Sequence, residues 1–238
     1  MKALLKKELS FYLNNPLGYI VIILFSVFAN FMFVKDIFVT GSASMRPFFD
    51  VLPWLLMVFV PALVMRMIAE EKRTNTMEVL MSLPVSETQI VLSKFFAAWL
   101  LTAIGLILTL GLPISMYVLT GQVGGRIYLP EVFVGYIGEL FVAAAFISIS
   151  LFFSSLTKNQ IVAFLASIVT IFFLVIFSTE FASSIIPPVL ESGLNYLSPV
   201  VQLSGFSKGL IDVRALFYFI SFTSLFLFLT VVDLERRP

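Results

Sequence analysis

The sequence contains neither cysteine nor histidine among its 238 residues. Without cysteine the chain has no disulfide bond and no thiolate nucleophile, and without histidine it has no imidazole base. Together the two absences also remove most ligand sets for zinc, haem and iron–sulfur clusters. Any catalysis would have to rest on carboxylates or hydroxyls, so we predict no catalytic residues and no cofactor or metal held by this chain.

Charged residues are also scarce. They make up 12% of the chain and leave a net charge of +1, which is too small to indicate a nucleic-acid partner. Hydrophobic residues make up 60%, more than a water-soluble domain of this size could bury. These proportions predict an all-α integral membrane protein that has lipid as part of its solvent.

Long uncharged runs divide the chain into candidate transmembrane spans. Five runs contain 18 or more residues, and at about 1.5 Å per residue each crosses a hydrocarbon core of about 30 Å. A sixth run holds one charge, Arg66, near its end, where the long side chain can reach the interface. We predict a single domain, 1–238, with six spans at about residues 17–38, 51–69, 95–119, 132–156, 160–179 and 213–232.

The positions of the basic residues predict that both termini are cytoplasmic. This orientation follows the positive-inside rule, and it places these residues inside: Lys2, Lys6, Lys7, Arg66, Lys72, Arg73, Lys94, Lys158, Arg236 and Arg237. The first apolar run follows a basic start and carries a weak cleavage pattern at Val27-Phe28-Ala29. Because the run continues through Val34, we interpret it as a retained span rather than a signal peptide.

Two polar segments on the inner side have their own pattern. Residues 2–15 form a short basic amphipathic helix suited to the membrane interface, or they act only as a topology signal. Between spans 2 and 3, Asn75 with Glu78 and Ser86 with Gln89 have the spacing of helix caps. The apolar turns between them, ended by Pro84, predict a short helix parallel to the membrane. It would either dock on a soluble partner or lie on lipid.

Residues 180–212 form a long outer segment that is rich in apolar residues and interrupted by Pro187, Pro188 and Pro199. This pattern predicts outer re-entrant helices before span 6 rather than a further full span. The fourth span is rich in small residues, which permit close helix packing within the chain or across a dimer. They are Gly135, Gly138, Ala143, Ala144, Ala145, Ser148 and Ser150.

Glu139 is the one ionisable residue clearly inside an apolar run. Such residues are functional candidates, so Glu139 could line a pathway or an outer gate, or it could lie near the headgroups, solvated or paired with Arg126. Pro53 and Pro61 in span 2 and Pro113 in span 3 predict kinks. The sequence has no phosphate-binding loop and no metalloprotease or serine-hydrolase motif.

Three stretches resemble the ABC-2 type permease family. Residues 70–86, EEKRTNTMEVLMSLPVS, resemble the segment between the second and third spans of that family. Residues 153–160, FSSLTKNQ, resemble its turn between spans four and five, and residues 197–212, from LSP to GLID, resemble its lead into the last span. The three occur in the family's order and extend over nearly the whole chain.

The resemblance implies a permease subunit that works with a separate ATPase subunit, which would bind ATP and Mg²⁺. It assigns a coupling helix to 76–84, and thereby ATPase coupling to Glu70, Glu71, Thr76, Met77, Glu78, Leu80, Leu83 and Pro84. It also implies a connecting helix over residues 2–15 and a second permease, either an identical copy or a sister chain. The expected location is the bacterial inner membrane.

Within the family, LLKKELSFY at 4–12 and NPLGYI at 15–20 resemble permeases associated with gliding motility. Permeases for nitrous-oxide-reductase maturation share the pattern. The expected activity is ATP-driven transport, and the expected direction is export. The alternatives are an energy-independent secondary carrier, which would favour more intramembrane charges and an internal repeat, a lipid-metabolising enzyme, which would need clustered carboxylates, and a scaffold that transports nothing.

Overall fold

The computed structural model describes residues 1–40, 44–122, 128–177, 179, 193 and 195–236. Within these ranges every regular element is a helix, which confirms the all-α class. The α-helices are α1 Lys2–Asn14, α2 Pro16–Thr40, α3 Arg46–Val64, α4 Ala69–Arg73, α5 Thr76–Met81, α6 Glu87–Leu108, α7 Gly111–Gln122, α8 Leu129–Leu156, α9 Gln160–Ile176, α10 Pro199–Leu203 and α11 Val213–Glu235, with a 3₁₀ turn at Phe206–Lys208.

Within the part of the chain that the structure describes, four stretches of helix are long and apolar enough to cross a membrane. They are Arg46–Arg73, Glu87–Val118, Leu129–Leu156 and Val213–Glu235. The first predicted span lies in α2, where Gly18–Val34 is bent by 72° from α1. The fifth lies in α9, whose 17 residues reach about 25 Å, less than a full hydrocarbon core of about 30 Å. The chain is therefore a multi-pass membrane protein, and the count of six spans stays a prediction.

Helix α8 is the centre of the bundle. It packs against α3, α6, α9, α10 and α11, and every residue from 142 to 151 is buried. A helix that is apolar on all sides and buried on all sides is a core helix. The small residues of the fourth predicted span therefore serve packing within the chain.

Two glycines of α8 are in close contact with neighbouring helices. A Cβ at Gly135 would lie 2.4 Å from the Phe49 ring, and a Cβ at Gly138 would lie 2.6 Å from the Phe206 Cβ. The Phe206 Cβ is fixed by its own backbone and cannot rotate away. Glycine at position 138 thus allows the 3₁₀ turn to lie directly on α8.

Replacing Gly138 with alanine is expected to lower the free energy of unfolding by about 2 kcal/mol, because the added methyl group overpacks a filled contact. Gly111→Ala is the matched control, since a Cβ there meets no atom within 4 Å. Thermal unfolding of the two purified variants measures the difference. Equal melting temperatures for both variants would contradict this packing.

The third predicted span is interrupted at Thr109 and Leu110, between α6 and α7. Pro113 explains the position of this break, because its ring clashes with the carbonyl of the residue four positions earlier, which is Thr109. In α3, Pro53 and Pro61 both lie inside one continuous helix. The kink predicted at Pro113 thus appears as a break between α6 and α7, whereas α3 continues without a break past Pro53 and Pro61.

The outer segment before α11 is described only in part. Residues 180–192 and residue 194, where half of the re-entrant prediction falls, lie outside the described residues. The described remainder contains the five-residue α10 and the 3₁₀ turn. Both contact α8, and Leu203 and Phe206 are buried there.

Candidate functional site

Helices α4 and α5 form a bent segment at one end of the bundle. Asn75 joins them with a left-handed backbone, φ 58°, a conformation that asparagine tolerates better than most residues. It holds the predicted cap position of α5, but its side chain makes no capping hydrogen bond. The second predicted cap is confirmed, because the Ser86 hydroxyl accepts from the Gln89 N–H at 3.3 Å.

Helix α5 has a buried side and an exposed side. Met77 and Leu80 are buried in the main hydrophobic cluster, with exposed fractions of 4% and 7%. Six residues of 76–84 are exposed, and we call them the docking face: Thr76, Glu78, Val79, Ser82, Leu83 and Pro84. The structure therefore separates the predicted coupling residues into two groups, and the docking face also includes Val79 and Ser82 of the predicted coupling helix 76–84.

Ser154 of α8 fixes the start of α4. Its hydroxyl accepts from the N–H groups of Ile68 at 3.3 Å and Ala69 at 3.0 Å, and it donates to the Met65 carbonyl at 3.1 Å. These backbone groups lie between α3 and α4, where the helical hydrogen-bond pattern is interrupted. One buried hydroxyl thus supplies hydrogen-bond partners for the backbone N–H and C=O groups where the chain turns from span 2 into α4.

Lys72 attaches α4 to two spans. Its buried side chain forms an ion pair with Asp233 of α11 at 3.1 Å and donates to the Ser155 carbonyl at the end of α8. Because the ammonium group has both a charge partner and a carbonyl acceptor, its burial is compensated. The contact joins residues far apart in sequence and connects α4 directly to α8 and α11.

Lys94 of α6 is the centre of a second ion network. Its ammonium group, with a side chain only 1% exposed, lies 2.9 Å from Glu8 Oε1 and 2.8 Å from Glu71 Oε2. Lys7 adds a contact to Glu71 Oε1 at 3.2 Å. The network therefore connects α1, α4 and α6 through two carboxylates and two ammonium groups.

Glu70 also has partners within the chain. Its carboxylate lies 3.1 Å from Arg66 Nε and 3.7 Å from Arg73 Nη2, and Arg66 in turn donates to Gln160 of α9 at 3.1 Å. The structure thus places Glu70 and Glu71 in internal ion pairs. Among the acidic residues predicted for coupling, Glu78 is the one that the docking face exposes.

Glu139 lies in the interior of α8. Its side chain is fully buried, and neither carboxylate oxygen has a hydrogen-bond partner among the described residues. It is ten residues beyond Leu129, about 15 Å along the helix axis. Burial excludes the predicted alternative of a solvated carboxylate, and the other alternative, Arg126, lies outside the described residues.

Glu131 provides a contrast to Glu139 on the same helix. It too is buried, but its Oε1 accepts from the Ser44 hydroxyl at 2.9 Å and from the Met45 N–H at 2.8 Å. Arg46 lies 3.4 Å from its Oε2. Glu131 therefore holds the start of α3 against α8, whereas Glu139 makes no such contact with any residue that the structure describes.

An apolar groove of about 630 Å³ lies between α6–α7 and α8. Its walls include Leu106, Ile107, Leu110, Phe133 and Ile137. With so few polar groups, such a surface suits acyl chains or other apolar groups and offers little to orient a polar ligand. It does not form part of the site around α4 and α5.

A comparison with known families identifies the family of this chain. A family model described as ABC-2 family transporter protein matches residues 3–232. The chain belongs to the ABC-2 transporter family. No curated protein matches it, so the gliding-motility and nitrous-oxide-reductase resemblances stay predictions.

In the ABC-2 family, the permease is the transmembrane component and not the ATPase, and it generally works with an ABC ATPase partner. Of the three stretches that resemble the ABC-2 family, two contact each other in the structure. Residues 70–86 contain α4 and α5, and residues 153–160 supply Ser154, Ser155 and Gln160, which hold the segment from Arg66 to Lys72 in place.

Proposed function

We propose that this ABC-2 permease couples ATP hydrolysis by a separate ABC ATPase to translocation across the bacterial inner membrane, and that the docking face on α5 contacts the ATPase. The single observation that supports it best is the two-sided structure of residues 69–84. Val79 and Leu83 are exposed by 65% and 50%, while α4 is joined to the bundle through Lys72 and Glu71.

The exposed apolar pair suits a protein partner. Val79 lies on α5, Leu83 lies two residues beyond its end, and both are exposed, as is Glu78 next to Val79. A soluble ATPase with an apolar groove would bury both side chains. The ATPase would bind ATP and Mg²⁺, and this chain would supply no catalytic group.

The ion pairs of α4 supply a path for coupling. A displacement of α5 would be transmitted to α1 and α6 through Glu71 and Lys94. It would be transmitted to α8 and α11 through Lys72. Packed helices and buried ion pairs move as units rather than deforming continuously. We propose that this shift alternates access to a path formed with a second permease, an identical copy or a sister chain.

Further parts of the proposal concern location and direction. Both termini are cytoplasmic, six spans cross the membrane, and the complex exports its substrate, possible settings being gliding motility and nitrous-oxide-reductase maturation. We also propose that α1 is the interfacial connecting helix. The 72° bend between a basic α1 and an apolar α2 supports this assignment. Glu139 is the candidate for a group on the path or at an outer gate.

The Val79→Asp/Leu83→Asp double variant is expected to lose co-elution with the candidate ABC ATPase from the same genome. Its melting temperature should change little, because both side chains are exposed. Leu80→Asp should instead destabilise the permease, since it places a charge in the buried cluster. The measurement is co-purification of the two proteins in mild detergent, with thermal unfolding of each permease variant.

The matched control is Thr88→Asp/Gln89→Asp, which adds the same two charges at exposed positions in the first turn of α6. Co-elution should persist in this control. If the Val79/Leu83 variant co-elutes as well as the wild type, the docking face is wrong. If no ABC ATPase associates even with the wild type, the subunit proposal fails, and a secondary carrier or a scaffold takes its place.

A further inference from the structure

The junction of α1 and α2 forms a tight elbow. The two helices meet at 72° across Asn15 and Pro16. Gly18 makes this possible, because a Cβ there would lie 2.5 Å from the Tyr12 carbonyl oxygen. If α2 crosses the bilayer, α1 lies close to the membrane plane, and the elbow is at the level of the lipid headgroups.

A shallow depression of about 650 Å³, widely open to the surroundings, lies at this elbow; we call it the elbow cavity. Its lining consists of Lys7, Ser10, Phe11, Asn14, Asn15 and Pro16. A cation, a hydroxyl and amide groups are the donors that bind phosphate oxygens. The Phe11 ring, 49% exposed, adds an apolar surface beside them. The Asn14 amide already donates to the Ser10 hydroxyl at 3.1 Å, which orients both side chains along one side of α1.

The charges of α1 are separated by side. Glu8 is buried against Lys94, whereas Lys2, Lys6 and Lys7 are exposed. The exposed side therefore carries positive charge, and Leu13 and Tyr19 continue its apolar part towards α2. Basic groups next to exposed apolar groups suit an anionic membrane surface better than water.

We propose that the elbow binds the phosphate headgroup of an anionic phospholipid. Lys7, Ser10 and Asn14 contact the phosphate, and an acyl chain passes Phe11. Lys7 also lies 3.2 Å from Glu71, so the bound headgroup adds a negative charge to the network that holds α4. The site depends on the position of α1 at the membrane and not on ATPase docking, so the proposal can fail while the proposed function stands.

Native mass spectrometry of the detergent-purified full chain, titrated with phosphatidylglycerol or phosphatidylcholine, measures the affinity for the first bound lipid. The wild type is expected to bind phosphatidylglycerol at least about tenfold more tightly, as charge-assisted hydrogen bonds to one phosphate would give. Lys7→Gln should remove most of this preference, and Lys7→Arg should retain it.

Two further variants distinguish a site from general attraction. Lys2→Gln removes the same charge at the far end of α1 and should weaken binding by less than about threefold, since it lies outside the cavity. Ser10→Ala/Asn14→Ala leaves the charge unchanged and should weaken binding by about fivefold. Equal losses in Lys2→Gln and Lys7→Gln, or no preference for phosphatidylglycerol in the wild type, would overturn the site.

Discussion

Replacing Lys94 with methionine is expected to lower the free energy of unfolding by about 3–5 kcal/mol, the usual effect of removing one partner from a buried ion pair. The variant would leave Glu8 and Glu71 facing each other without the ammonium group that lies 2.9 Å and 2.8 Å from them. Lys7 would remain 3.8 Å from Glu8 and 3.2 Å from Glu71, but its side chain is 54% exposed and compensates less.

Equilibrium unfolding of the purified permease measures this loss. Lys158→Met is the control, since it removes an exposed lysine and should change stability by less than about 0.5 kcal/mol. The triple variant Glu8→Gln/Glu71→Gln/Lys94→Met should recover much of the lost stability, because neutral groups can replace a buried ion network. A loss under about 1 kcal/mol for Lys94→Met alone would show that the network does not hold the helices together.

Glu139→Met is expected to act in the opposite direction and raise the free energy of unfolding by about 3 kcal/mol. The carboxyl group is fully buried without a hydrogen-bond partner among the described residues, so its burial has a desolvation cost that methionine avoids. Methionine has a similar length and a flexible side chain that fills irregular space. Under the proposed function Glu139 lies on the translocation path or at its outer gate, so we expect reduced transport-coupled ATPase activity together with the gain in stability.

Glu131→Met is the matched control for Glu139→Met. Both residues are buried glutamates of α8, but Glu131 accepts two hydrogen bonds and pairs with Arg46. Its replacement should therefore lower the free energy of unfolding. Equal destabilisation of the two variants would mean that Glu139 has a partner in the folded permease, for example on the second subunit.

The sequence predicts well what depends on local pattern. The all-α class follows from apolar run length, the start of α6 follows from Ser86 and Gln89, and the position of α5 follows from residues 75–84. Each of these features depends on residues within a few turns of one another. Local propensity and helix capping are sufficient to determine them.

Which side of each helix is buried could not be predicted in the same way. In a membrane protein, both the lipid-facing and the protein-facing sides of a helix are apolar, so periodicity shows which residues share a side but not what that side contacts. The family resemblance does not distinguish buried from exposed residues either: it groups Met77 and Leu80 with Leu83 as coupling residues, although the structure buries the first two. Because both sides of a membrane helix are apolar, the small residues of α8 could be assigned from sequence either to a dimer interface or to the core.

The ion networks were beyond sequence analysis for another reason. Lys94 and Glu8 are 86 residues apart, and Lys72 and Asp233 are 161 residues apart. No local pattern relates such residues, and the positive-inside rule counts Lys72 and Lys94 only as topology signals. Their buried positions become visible only when the packing of α1, α4, α6 and α11 is known.

The pairing of Lys72 with Asp233 also sets an order for biosynthesis. During translation, α4 is complete long before α11 has been made. The ion pair between Lys72 and Asp233 can therefore form only after most of the permease has been synthesised and inserted. This contact of α4 therefore forms only in chains that have reached α11. Under the proposed function, an ATPase that requires the contact would bind chains that contain α11 more tightly than chains that stop before it.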